Sequence, residues 1–138
     1  MIGLARSGEE LPKDYLERYY ERIEALVKEK QGILHTVKYT EYSRTVLALT
    51  AMGKDPRNVA GFDLPLGDFE KTCRQGLNGA IWALLALDSV AYEVPSNSQA
   101  RVQASRELYV QEILSRELAE GGWNLTGSGA ADADITAM

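Results

Sequence analysis

The chain has 138 residues, 45% of them hydrophobic, 25% charged and 8% aromatic, with a formal charge of −5. These are globular values for a single domain or a piece of one, and they exclude disordered and low-complexity classes. A net acidic chain without a lysine or arginine block has no electrostatic footprint for nucleic acid or an anionic membrane. One cysteine, Cys73, and one histidine, His35, cannot make an intrachain disulfide or a four-ligand Cys/His zinc site.

The start, MIGLARSG, lacks the basic and long apolar regions of a signal peptide. The longest apolar run, Ala80 to Leu87, is far below the roughly 20 residues that cross a bilayer, so no membrane insertion is expected. Ile2, Leu4 and Ala5 read like the tail of an apolar helix, and a new apolar pattern opens just before Met138. The chain therefore reads as a partial domain truncated at both ends, with Met1 an internal or an added methionine.

The first helix is expected from Lys13 to Lys30. Leu16, Tyr19, Tyr20, Ile23, Leu26 and Val27 form one apolar stripe, with Pro12 in the first turn and Gly32 as the stop. Tyr15, Tyr19 and Tyr20 space as core. The second helix, Thr40 to Met52, is apolar on most sides after Arg44, with Thr40 as cap and Gly53 as terminator. Such a helix is buried on both flanks. A loop from Pro56 to Leu66, broken at Gly61 and Pro65, leads to a weak helix from Asp68 to Arg74. Asn78 is expected to cap a second apolar helix that stops near Asp88. Ser98 to Glu120 reads as one long amphipathic helix closed by Gly121-Gly122. A flexible TGSGAA loop follows, and Asp132 and Asp134 introduce the first turn of a third apolar helix. Val37–Tyr39 and Val90–Val94 are the only strand candidates and are too short to build a sheet. The fold class is all-α.

Val46–Met52 superposes on Ile81–Leu87 at an offset of 35, small over small and large over large, and Thr136-Ala137-Met138 fits over Thr45-Val46-Leu47. Outer two-faced helices therefore alternate with inner apolar ones, the pattern of a helical-hairpin array. An inner layer this apolar favours a closed ring over an open solenoid. Six hairpins would close such a ring, and about two and a half are here.

Gly121-Gly122-Trp123-Asn124 followed by Asp132-Ala-Asp-Ile-Thr-Ala-Met138 resembles the α/α-toroid superfamily, and Ser43–Leu64 is similar to repeats of bacterial secreted or surface proteins on that fold. The superfamily holds squalene–hopene cyclases, protein prenyltransferase β subunits and the barrel of cobalamin carriers. The resemblance covers residues 36–138 and implies about half of an (α/α)6 barrel. It implies a non-catalytic binding or adhesion module of an extracellular or cell-surface protein, holding a small molecule or protein segment at the mouth of the ring. Positive ends of the inner helices would favour an anionic group there. Tyr42, Arg44, Gln75, Asn78, Trp82, Asp132 and Asp134 are the ligand-binding candidates.

The alternative is a cyclase-like enzyme with Asp134, beside Asp132, as general acid. Ile135 stands where the family's last acid belongs, and Glu117 replaces its glutamine, so Asp132 or Asp134 reads better as a helix cap. The prenyltransferase zinc set of Asp, Cys and His has no matching spacing, so no metal or cofactor is expected. Cys73 reads as a buried, inert thiol. Trp123 reads as packing between hairpins. Asn124-Leu125-Thr126 is a glycosylation sequon and places its loop at the surface. Exposed inner-helix surface would also allow a homodimer.

Overall fold

Two helices with little polar surface form the centre of the computed structural model, which describes residues 1–12, 14–64 and 66–138. The helices are α1 (Ile2–Arg6), α2 (Tyr15–Glu29), α3 (Thr40–Ala51), α4 (Phe69–Thr72), α5 (Leu77–Asp88), α6 (Arg106–Leu114) and α7 (Ala133–Thr136), with a 3-10 turn, Cys73–Gln75, continuing α4. Among the described residues there is no strand. The extended pairings are single bridges, Val59 with Phe62 and Asp68 with Gln103. The chain is all-α, as its hydrophobic periods predict.

Helices α3 and α5 pack along one another and run in the same direction. At one end, Gln75 Oε1, just before α5, accepts from the backbone N–H of Thr40 at 3.1 Å and from its hydroxyl at 3.0 Å. At the other, the Thr50 hydroxyl lies 2.9 Å from that of Tyr92, beyond the end of α5. The residues between them form the core: Tyr42, Val46, Ala48 and Leu49 of α3 with Ala80, Ala83, Ala86 and Leu87 of α5. Alanines at the contact let the two backbones approach.

The outer helices run the opposite way. Lys54, just past α3, pairs with Glu17 near the start of α2 at 3.0 Å and lies over the Tyr20 ring. Arg106, the first residue of α6, pairs with Asp88, the last of α5, at 2.7 Å and donates to the carbonyls of Leu87 and Tyr92. Tyr109 of α6 is fully buried and donates its hydroxyl to the Leu66 carbonyl at 2.9 Å.

Several boundaries differ from expectation. Helix α2 begins at Tyr15, so Pro12 precedes the first turn, and the expected start at Lys13 lies outside the described residues, as does Pro65. Its stripe is shallower than its spacing suggests. Only Val27 is fully buried, while Tyr15 and Leu26 are each 38% exposed. The left-handed turn that closes α2 begins at Gln31 (φ 50°) and continues through Gly32, whose N–H returns to the Val27 carbonyl at 2.8 Å. A side chain on Gly32 would meet Phe62 at 2.8 Å. Gly53 (φ 72°) ends α3 as expected.

Neither expected inner-helix cap acts as one. Thr40 is the first residue of α3, and its hydroxyl reaches across to Gln75. Asn78 is the second residue of α5, behind Gly76, and its Oδ1 is buried with no hydrogen-bond partner.

The largest correction concerns residues 98–120. They carry no proline or glycine and read as one helix, yet only Arg106–Leu114 is helical. The stretch before it is held extended against the approach to α4: Phe69 N–H donates to Val102 O at 3.1 Å and Ala104 N–H to Gly67 O at 2.9 Å. Ser105 then caps α6 through its hydroxyl, which accepts from Leu108 N–H. Gly67 permits this arrangement, because a Cβ there would lie 2.0 Å from the Pro95 carbonyl oxygen.

Candidate functional site

Because α3 and α5 lie side by side in one direction, their uncovered sides form a continuous face. On α5 that stripe is Asn78, Ile81, Trp82 and Leu85, all half-buried or exposed; on α3 it includes Arg44 and Leu47. The Arg44 guanidinium stacks over the Trp82 ring, 4.9 Å from its centre. Further along, Arg6 of α1, Leu47, Leu84, Leu85, Asp88 and Ser89 line a hollow of about 350 Å³. Asp88 is committed to Arg106. Among the described residues neither Arg6 nor Arg44 has a carboxylate partner. The face thus offers apolar side chains with an unpaired guanidinium toward each end. Its chemistry suits an elongated apolar group carrying a negative charge.

A second hollow, of about 270 Å³, opens on the flank of α5 between Ile81, Leu84 and Leu85, the α6 residue Ile113, Trp123, and Ile135, Thr136 and Met138 around α7.

The Gly-Gly-Trp segment builds this flank. Trp123 donates its indole N–H to the Ile113 carbonyl at 2.8 Å, tying it to the end of α6. Its backbone N–H donates to the Thr136 hydroxyl at 2.9 Å, and its carbonyl accepts from Asp132 N–H at 2.8 Å. Trp123 therefore joins the outer helix α6 to α7, a structural role. A Cβ on Gly122 would stand 2.9 Å from the Thr136 hydroxyl oxygen, so this approach needs glycine.

The remaining candidates have distinct fates. Tyr42 is buried, its hydroxyl donating to the His35 carbonyl and accepting from the His35 N–H, so it is withdrawn from any ligand. Gln75 is occupied by Thr40. Asp132 caps α7, accepting from Ile135 N–H at 2.9 Å, and Asp134 is exposed in its first turn. The Thr40 N–H at the start of α3 and the Ile135 N–H in the first turn of α7 are thus already bonded. Arg44 and Trp82 come together; Asn78 lies one turn before Trp82 on the same stripe. Arg6, Leu47, Leu84 and Leu85 were not among the candidates. Leu49 and Leu84 occupy matching places in the repeat, yet Leu49 is buried and Leu84 only half-buried. Pattern alone does not separate a core leucine from a lining one.

The sequon's loop lies at the surface, as expected. Asn124 itself is buried, with Nδ2 donating to the Ser128 and Ala130 carbonyls and Oδ1 accepting from Thr126 and Gly127 N–H. The amide that glycosylation would modify is the loop's internal staple.

Cys73 is half-buried, and burial pushes its thiol up to about 12. Among the described residues no three His, Cys, Asp or Glu side chains converge as a metal site, and no helix is long and apolar enough to cross a membrane. Comparison of the chain with known protein families, with curated proteins and with solved structures gives no match.

Proposed function

We propose that the chain is a binding or adhesion module built on part of an (α/α)6 toroid, with α3, α5 and α7 in the inner layer and α2, α4 and α6 in the outer. Parallel inner helices joined through antiparallel outer ones support this reading, because a simple up-and-down bundle would make sequential neighbours antiparallel. The single observation that carries it is the Thr40–Gln75 bond, which sets the two copies of the repeat side by side in register at a separation of 35 residues.

The ligand in this proposal lies along the inner face: an apolar chain against Leu47, Leu84 and Leu85, with its anionic end at Arg44 or Arg6. Apolar burial supplies affinity at about 25 cal/mol per Å², and an unpaired guanidinium orients the charge. The exposed carboxylate of Asp134 favours binding over the cyclase-like alternative, since a proton-donating acid needs apolar enclosure. A place in a secreted or surface protein belongs to the same proposal and rests on the sequence resemblance.

Methyl NMR with decanoate and decanol as probes tests it. Decanoate should shift the Leu47, Leu84 and Leu85 methyls, and Arg44→Gln with Arg6→Gln should weaken decanoate while sparing decanol. No shift at those methyls, or equal shifts scattered over α2, would overturn the reading.

A further inference from the structure

Resting on the binding reading above, we infer that the ligand of the α3/α5 face carries a negative charge at both ends of its apolar chain. Its chemical class is then a linear α,ω-dicarboxylate, not a fatty acid with one charged end. The two cations of the face differ in how they are held, and both are open to a carboxylate. Arg44 lays its guanidinium over the Trp82 ring, 4.9 Å from its centre. Stacking engages the flat side of the group and leaves its in-plane N–H donors for a bidentate acceptor. Arg6 lines the hollow of about 350 Å³ beside Leu84, Leu85 and Asp88. Asp88 is the acid of that hollow, and Arg106 already holds it at 2.7 Å while donating to the Leu87 and Tyr92 carbonyls. Among the described residues neither Arg6 nor Arg44 pairs with a carboxylate of the chain.

The lane between them is free of charge. From Trp82 to Asp88 is six residues of α5, about 9 Å at about 1.5 Å per residue, and every residue between, Ala83 to Leu87, is apolar. Leu47 of α3 borders the same hollow. A medium-length hydrocarbon chain spans that distance. With one carboxylate it satisfies one guanidinium and lays a methyl against the other, in either of two opposite directions. With two carboxylates it satisfies both in one arrangement. Exchanging the end methyl for a carboxylate loses about fourfold in apolar affinity, and a charge-assisted pair returns about tenfold or more. Once one end is held, the other meets its partner within the same complex.

Calorimetric titration of the whole chain with decanedioate, decanoate and decanol tests this, at about pH 8, where both carboxylates are ionised. Decanedioate should bind about threefold or more tighter than decanoate. Arg44→Gln or Arg6→Gln alone should reverse that order, since one carboxylate then lies against leucines without a partner, whereas decanoate loses only one of its two directions. Arg6→Lys should keep the order. Arg22→Gln, which removes the same charge from the exposed side of α2, should leave it unchanged. Retained helical circular dichroism shows that each variant folds. Decanedioate no tighter than decanoate, or a preference that survives both glutamine variants, would overturn the inference. If decanoate still shifts the Leu47 and Leu84 methyls in that event, the binding reading stands without it; if neither acid binds, both fall.

Discussion

Gln75 holds Thr40 by two hydrogen bonds to one oxygen, and by doing so fixes where α3 starts relative to α5. Thr40 is only 6% exposed, so water cannot replace the lost acceptor readily. Gln75→Ala should destabilise the chain by about 2 kcal/mol in thermal or urea unfolding, because a buried backbone N–H is left unpaired. Gln75→Glu keeps an acceptor oxygen and should recover most of that loss. A cost below the error of measurement in the alanine variant would mean that the repeat register is set elsewhere.

Gly79 of α5 lies tight against the last residue of α4 and the turn that follows it. A Cβ there would lie 2.0 Å from the Thr72 carbonyl oxygen and 3.2 Å from the Cys73 Cα. Both are backbone atoms and neither can swing away. Gly79→Ala should therefore cost about 3 kcal/mol or more, although alanine is the better helix former by about 1 kcal/mol. A stabilised variant, as propensity alone predicts, would show that α5 stands further off.

Ala91 turns the chain after α5 with φ 56°, and Tyr92 N–H then closes on the Leu87 carbonyl at 2.7 Å. An L-residue in this conformation costs about 1 kcal/mol relative to glycine. Ala91→Gly should raise stability by about that amount, measurable as a rise of a few degrees in Tm.

The Cys73 thiol, raised from 9.0 to about 12 chiefly by burial, has a pH signature. Below the unfolded value both states hold the proton. Between the unfolded and folded values only the unfolded chain loses it, so stability falls as pH rises from about 9 toward about 12. At pH 8 the folded chain should react with Ellman's reagent roughly a thousandfold more slowly than in urea. Cys73→Ala should abolish the alkaline contribution. Rapid native reaction would place the thiol at the surface.

The periods of three and four in residues 15–29, the apolar runs of α3 and α5 and the asparate before α7 were all legible, because each depends on contacts within a few residues. The Asp132 cap needs only the backbone N–H three residues on. Residues 98–105 were not legible. Their own preference is helical, but Asn97–Ala100 close a turn, and Gly67 and Phe69, more than thirty residues away, hold Val102–Ala104 extended. Asn78 shows the same limit from the other side: it suits a cap, but Gly76 at φ 62° turns the chain first and draws Asn78 into the helix.

The candidate face divides along the same line. Arg44, Trp82 and Asn78 could be selected from residue type and their place near inner-helix starts. That Tyr42 and Gln75 are spent on internal bonds, and that Arg6 comes from α1 to the rim of a hollow beside Leu47, depends on which partners folding brings within 3 Å or so.

Local chemistry in the sequence thus determined the all-α class, the one-sided apolar stripe of α2 and the apolar character of α3 and α5, because periodicity and capping act over one or two turns. Tertiary structure alone decided that the apolar helices lie parallel, which leucines line a hollow and which are core, and where α6 begins. Those outcomes turn on hydrogen bonds and close approaches between residues far apart in the chain, and no local period encodes them.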